Sequence, residues 1–471
     1  MSRLRRMAVP VVLAAVGAGV LAAPAEAAEQ RVSCDTTSAS YTYVVLYQPD
    51  TPGAFVDTEL RAKCGKKVGY YPEIGVAIAS SRTADFAKRI GVFRAYSGGK
   101  DVADNAGGVA ARTSLGAVRT LEDTRSVAAA DGDLTAQQWD MRAIHAPEAN
   151  KVNQGSRSVT VGVLDSGIDA THPALKAAVD AKASAGCVTG APDTTAASWA
   201  PTTSDHGTHV AGTIAGKDVA RGFTGIAPGV RLASVKVVND DGYIFPESAV
   251  CGFVWAAKHG FAVTNNSYYI DPGMFFCAKQ PGDAAAFEAV RRAIQFSQRR
   301  GVLNVSAAGN SGFDVTTQTT DPNRPHPVDS SCGILPKAID GVVTVSAVGY
   351  AGTKSAYSNF GRGEIEVTAP GGDFSQAPPD GQGDVCPLST TVFGGPYGTK
   401  CGTSMASPHV AGVAALLASR FRGASPEFLT KLLEVGADAV PCETAAPDCS
   451  GPKGNNSYYG HGLVNALHAV R

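Results

Sequence analysis

From about residue 137 onward, short valine-rich runs alternate with longer segments of helical character. No other feature of the sequence limits the fold so strongly. The runs at 159–164, 232–238, 261–265, 302–307, 342–348 and 365–369 are apolar on both faces, as strands of a covered parallel sheet are. Between them, 206–217, 246–258 and 283–299 read as helices, with Pro246 suited to a first helical position. The alternation predicts an α/β fold: an open, mostly parallel sheet with helices on both faces. Ligands of such sheets bind beyond the carboxyl ends of the strands, so chemistry is expected just after each one.

One helix differs from the rest. Gly402-Thr403-Ser404-Met405-Ala406 opens a run in which Val410, Val413, Ala414 and Leu417 keep helical spacing while Ala411, Ala415 and Leu416 fill the other faces. A helix apolar all round is a buried one. Ser404 then sits at its mouth, where free N–H groups and the helix dipole favour negative charge. Alone, a Gly-Thr-Ser turn opening a helix is most often an ordinary N-cap. A nucleophile needs a base and an orienting carboxylate.

Three residues that follow strands or open helices can supply the help. Asp165 ends Val163-Leu164-Asp165 and is followed by Gly167, which allows a sharp turn; by itself it could cap that turn. His206 opens the helix at 206, where the dipole disfavours its cation and leaves it ready to accept a proton. The zinc pattern HExxH is absent around His206 and His209, and His209 reads as structural. Asn310 ends Ala307-Ala308-Gly309-Asn310, where a side-chain amide can donate to an oxyanion. Together they describe one machine: Ser404 attacks a carbonyl, His206 carries the proton, Asp165 orients the imidazole and Asn310 stabilises the oxyanion. The glycine-rich stretch ending in Lys400 and Cys401 lacks the Gly-Lys-Ser/Thr of a phosphate loop.

A formal net charge of −1 with 18% charged residues offers no electrostatic reason for nucleic acid or anionic membrane as partner. Arg3, Arg5 and Arg6, an apolar run at 8–23 and Ala25-Glu26-Ala27 read as a cleaved export signal over 1–28. The run contains Pro10 and is shorter than the roughly 20 residues that span a bilayer. The ten cysteines lack Cys-x-x-Cys spacing and fall into even groups, Cys34 and Cys64 in one and the other eight from Cys187 onward. They are expected in disulfides of an oxidising compartment. Cys442 with Cys449 is the first pairing expected from proximity, and Cys386 with Cys401 the next, bracing the approach to Ser404. Strands at 41–46 and 68–79 and helices at 55–64 and 83–90 make a small α+β unit ending near 105. A Gly/Ala/Asp/Thr-rich linker follows to about 135.

The sequence resembles the subtilisin-like serine proteases, the subtilase family. The resemblance rests on Val163-Leu164-Asp165-Ser166-Gly167-Ile168, His206-Gly207-Thr208-His209-Val210-Ala211-Gly212, Ala307-Ala308-Gly309-Asn310 and Gly402-Thr403-Ser404-Met405-Ala406-Ser407-Pro408-His409, in that order. It covers about 137 to the C-terminus and implies a secreted, extracellular serine endopeptidase with Asp165, His206 and Ser404 as triad and Asn310 in the oxyanion hole. Ser267, Ala308 and Gly309 are then substrate-binding, with an extended peptide paired against the strand at 261–267. The resemblance makes 29–130 a propeptide that assists folding, inhibits the enzyme and is removed by it, and 131–471 the peptidase domain. Polypeptides and its own propeptide are the expected partners of a monomer, with no metal in the site and no cofactor required. A structural calcium is possible, but the aspartate many relatives carry after His-Pro is Ala174 here, following His172-Pro173. Relatives carry Ser-x-Gly where this chain has Ser267-Tyr268-Tyr269, so Tyr269 narrows or reshapes the cleft. A non-catalytic binding protein on this scaffold, and an enzyme dedicated to one precursor, are the alternatives.

Overall fold

The computed structural model describes residues 33–105, 125–126, 132–324, 326–444 and 446–471. The export signal expected at 1–28 and most of the expected linker lie outside these residues.

The N-terminal unit is an antiparallel sheet of β1 (Tyr41–Leu46), β2 (Lys66–Tyr71), β3 (Val76–Ser81) and β4 (Ala95–Tyr96), in the order β2-β3-β1-β4. The run 68–79, expected as one strand, is two. Pro72 cannot donate to a ladder, and the chain turns through Pro72–Ile74 and Gly75, whose φ is +61°. The expected helix at 55–64 is α1, Gly53–Ala62. Strand periodicity sorts the apolar residues onto two faces. Tyr43, Val45, Ala77 and Ala79 pack with Val56 and Leu60 of α1 and with Phe86. Val44, Val76 and Ile78 point the other way and join the core of the following domain.

That domain holds a seven-stranded sheet: β5 (Thr160–Asp165), β6 (Ala185–Gly186), β7 (Arg231–Lys236), β8 (Val263–Asn266), β9 (Leu303–Ala307), β10 (Val343–Val348) and β11 (Val367–Pro370). The order is β11-β10-β9-β8-β5-β7-β6, and its pairings are parallel. The six expected strands are present; β6 is too short to carry a period. Helix α2 (His206–Ala215) ends before the expected residue 217, because Lys217 and Asp218 pair with Phe223 and Thr224.

Helices α2 and α5 (Thr403–Arg420) cover one face, packing on Val161, Val163, Val305 and Val345. Helices α3 (Pro246–Lys258) and α4 (Asp283–Arg299) cover the other, against Leu164 and Val235. The N-terminal sheet lies outside α3 and α4, giving layers of helix, sheet, helix, sheet. Every residue of α5 from Thr403 to Ala418 is buried, which is why that helix has no polar face. Strand β5 has β7 on one side and β8 on the other, so the strand order reverses there and a crevice opens at the carboxyl ends. Asp165 ends β5, and Ser267 and Ala308 follow β8 and β9.

Five disulfides use all ten cysteines: Cys34–Cys64, Cys187–Cys251, Cys277–Cys332, Cys386–Cys401 and Cys442–Cys449. Both expected pairings are among them. No described helix is long and apolar enough to cross a membrane.

Candidate active site

Asp165 and His206 meet because two glycines let the elements close up. Gly167 holds φ +106° in the turn after β5, and a Cβ on Gly207 would lie 2.5 Å from the Gly167 carbonyl. The first turn of α2 therefore rests on the Asp165 turn. Both side chains are buried, and His206 Nδ1 lies 2.9 and 3.0 Å from the two carboxylate oxygens. With Asp165 ionised, Nδ1–H donates and Nε2 is left as the basic nitrogen. The Ser166 N–H donates to Asp165 Oδ1 at 2.7 Å, and Ser166 Oγ accepts from the Gly207 N–H at 2.9 Å.

Ser404 lies in the first turn of α5, tied to Ser267, the residue after β8. Its Oγ donates to the Ser267 carbonyl at 3.1 Å, and Ser267 Oγ donates back to the Ser404 carbonyl at 2.8 Å. Ser407 Oγ donates to Asn265 Oδ1 at 2.7 Å, and Asn265 Nδ2 to Ser267 Oγ at 2.9 Å. Ser407 is thus part of the frame. So is His409, whose Nε2 lies 3.1 Å from a buried carboxylate oxygen of Asp140 and whose Nδ1 lies 2.7 Å from the Met405 carbonyl.

Asn310 is oriented by the residue beside Ser404. The Thr403 N–H and Oγ1–H both donate to Asn310 Oδ1, at 2.9 and 2.8 Å. With the amide oxygen so occupied, Nδ2 is the end available to an oxyanion. A Cβ on Gly402 would lie 3.4 Å from that nitrogen, so glycine keeps the approach open. The loop is held by Asn359, whose Nδ2 donates to the Ala308 carbonyl and whose N–H donates to the Gly309 carbonyl.

Ser267, Ala308, Gly309, Asn310 and Ser404 line one recess together with Tyr269 and Ile334, and its volume is about 20 Å³. That is room for little more than one water. Tyr269 is buried among Met274, Phe275 and Ile334, and its hydroxyl accepts from Asn323 Nδ2 at 3.1 Å. Larger cavities lie elsewhere. One of about 560 Å³ opens between the N-terminal unit and the segment Gln280–Asp283 with Arg324 and His326, and shares no residue with the recess.

His209 is buried with Nε2 3.2 Å from the Gly398 carbonyl, as a structural histidine should be. Burial holds its pKa well below the ordinary value, with Lys400 adding to the effect. His172 packs against Tyr397 with Nε2 2.7 Å from the Pro396 carbonyl, and Ala174 is buried. Among the described residues one cluster, Cys277, Asp283 and His326, has cation-site spacing. Cys277 is in a disulfide and Asp283 is ion-paired with Arg324, so a ligand set is lacking. Sequence reasoning missed Thr403, Ser166, Asp205 and Lys400. Thr403 had one cue, a hydroxyl next to Ser404; the others act through contacts between distant segments.

Residues 156–462 match the model of the Subtilase family, a peptidase family. The chain is 31% identical to Subtilisin DY of Bacillus licheniformis over 69% of its own length and 96% of that protein's. It is 30% identical to M-protease of Shouchella clausii, over 74% and 75%. Among solved structures, the Epidermin Leader Peptide Processing Serine Protease of Staphylococcus aureus superposes with a TM-score of 0.68, at 20% identity, over 92% of this chain and 98% of that one. That likeness is one of fold. A Lanthipeptide Protease superposes with a TM-score of 0.56, at 26% identity, over 72% and 94%. With the motifs, the sheet and these relatives in agreement, the chain belongs to the subtilase family and is a subtilisin-like serine endopeptidase.

Proposed function

We propose that this endopeptidase is made as a self-processing precursor and exported, with Asp165, His206 and Ser404 as its triad and Asn310 as oxyanion donor. Ser404 Oγ attacks the carbonyl carbon of the scissile bond while His206 Nε2 takes its proton. The carbonyl oxygen gains the negative charge and is met by Asn310 Nδ2. Collapse breaks the C–N bond, and His206 returns the proton to the leaving amine. Water then enters, loses a proton to His206 and releases the acyl group from Ser404. No metal or other cofactor takes part.

The observation that carries this reading is the pair of contacts at 2.9 and 3.0 Å between the Asp165 carboxylate and His206 Nδ1, at the end of β5. Five disulfides favour an oxidising compartment, and with it export directed by residues 1–28. Residues 29–130 are read as the inhibitory propeptide and 131–471 as the peptidase domain, acting as a monomer. Two contacts support that division. The N-terminal sheet packs on α3 and α4, and the linker strand Arg125–Ser126 pairs with Tyr397–Thr399, just ahead of Ser404. A Ser404→Ala precursor purified alone should stay intact where the unaltered chain is cut; cleavage of the variant at the same site would rule out self-processing.

A narrow task, processing one or a few precursors, is favoured over broad digestion by Tyr269. Tyr269 lines the small recess beside Ser404, and on this reading the recess admits only a small side chain at the cleaved bond. Two of the similar structures are named as a leader peptide processing protease and a lanthipeptide protease. Profiling on a peptide library should give cleavage after glycine, alanine or serine; equal cleavage after leucine and phenylalanine would reject the narrow pocket.

A further inference from the structure

Asp205 directly precedes His206, at the N-cap of α2. An aspartate there ordinarily accepts an N–H from the first helical turn. Asp205 makes no such bond. The turn is served by others: the His206 N–H donates to Ser204 Oγ at 3.2 Å, and the Gly207 N–H donates to Ser166 Oγ. The Asp205 carboxylate faces instead the hairpin of Leu388–Thr390 and Tyr397–Thr399, which leads into Ser404. Its Oδ2 accepts from the N–H groups of Val392 and Phe393, at 3.0 and 3.2 Å, and its Oδ1 lies 3.1 Å from Lys400 Nζ. The two side chains are only 6% and 2% exposed. Burial alone would raise the carboxyl's pKa; the Lys400 ammonium and the two N–H groups outweigh it and hold it low.

The hairpin is fastened to both catalytic segments. Ser389 Oγ and Thr390 Oγ1 donate to the carbonyls of His209 and Thr208 at 2.7 Å. The disulfide Cys386–Cys401 closes the hairpin at the residue after Lys400. Desolvating two such ions is costly, and an apolar pair of equal volume is often as stable. Stability alone therefore gives little reason for this pair to be ionic.

We propose that the Asp205–Lys400 ion pair is a positioning device that registers the base-bearing end of α2 against the serine-bearing end of α5 and balances the charge around His206. The proposal rests on the reading of His206 as base and Ser404 as nucleophile. The titratable groups around His206 are Asp165 from β5, Asp205 and His209 from its own segment, Lys400 from the hairpin and, next to Asp165, the buried Tyr268 that follows β8. As a pair, Asp205 and Lys400 add no net charge. With Lys400 alone neutralised, the Asp205 carboxylate is left uncompensated beside His206 and favours the imidazolium. His206 then becomes a base only at higher pH.

The test follows kcat, KM and Ser404 labelling by a fluorophosphonate probe across pH, on the purified enzyme. Lys400→Met should move the acid limb of kcat/KM up by about half a pH unit or more. The neutral pair Asp205→Asn/Lys400→Met should return that midpoint to the starting value. It should also leave kcat at least about tenfold down with KM within about twofold, because register is lost while the cleft is kept. Lys400→Arg should recover most of kcat. A folded Lys400→Met enzyme with an unmoved midpoint would overturn the proposal. If that variant does not fold, the double variant decides, and full kcat there would overturn it. Failure of the unaltered enzyme to label at Ser404 would instead remove the catalytic reading beneath it, and the proposal with it.

Discussion

Asn310 works as a donor only if its amide points the right way, and Thr403 decides that. Two Thr403 donors on one oxygen fix the orientation without any ligand. Asn310→Ala should lower kcat by about 10²–10³-fold with KM little changed, a figure taken over from the corresponding donor of subtilisin itself. Thr403→Val keeps the shape and one N–H while removing the hydroxyl, and should lower kcat by a smaller factor, read in the same assay. The positions of the candidates Asp165, His206, Asn310 and Ser404 were legible from sequence because each stands near the end of a strand or the start of a helix inside a local motif. Thr403, Asp205 and Lys400 were not. Their roles come from partners far away in the chain, and no local periodicity records such pairings.

At the scale of elements, the hairpin of Leu388–Thr390 and Tyr397–Thr399 joins α2 and α5, the helices that carry the candidate base and nucleophile. Its glycine-rich turn carries no helical or strand period, so the sequence offered only the absence of a phosphate loop there. The disulfide Cys386–Cys401 closes a loop of 15 residues. Replacing both cysteines by serine should cost about 3 kcal/mol in the chain-entropy account, measured by denaturant unfolding. The valine-rich strands of the main sheet were readable because burial on both faces leaves a continuous apolar run. The N-terminal strands β2 and β3 were merged because Val68–Tyr71 and Val76–Ala79 are both strand-prone, and the turn between them is made only by Pro72 and Gly75. Helix α5 was readable from composition. Leu416→Ala in its buried run should lose about 2–5 kcal/mol.

Across the whole molecule, the N-terminal sheet and the peptidase share a buried boundary. Tyr71 donates to the Gly190 carbonyl at 2.7 Å, Arg292 Nη1 donates to the Tyr47 carbonyl at 2.7 Å, and Arg324 pairs with Asp101 at 3.2 Å. Glu247, at the start of α3, lies beneath this boundary: Ile78 and Glu247 flank the same spot at Gly190. Burial pushes its carboxyl from 4.5 up to about 8. The sign follows directly. A carboxyl whose folded pKa lies above its unfolded value favours the folded state fully below 4.5 and loses that contribution as pH rises to about 8. The Tm of the full chain should therefore fall over that range, and Glu247→Gln should flatten the fall. None of this boundary was legible beforehand, since an apolar strand face does not name what covers it. Because the proposed chemistry needs no metal, EDTA should leave the initial rate unchanged, whatever it does to Tm. The most direct measurement is fluorophosphonate labelling of the mature enzyme with mapping of the modified residue. A single adduct on Ser404, lost in Ser404→Ala and slowed several orders of magnitude in His206→Ala, is the expected result. An unlabelled Ser404 in an enzyme that still cleaves peptides would contradict the account.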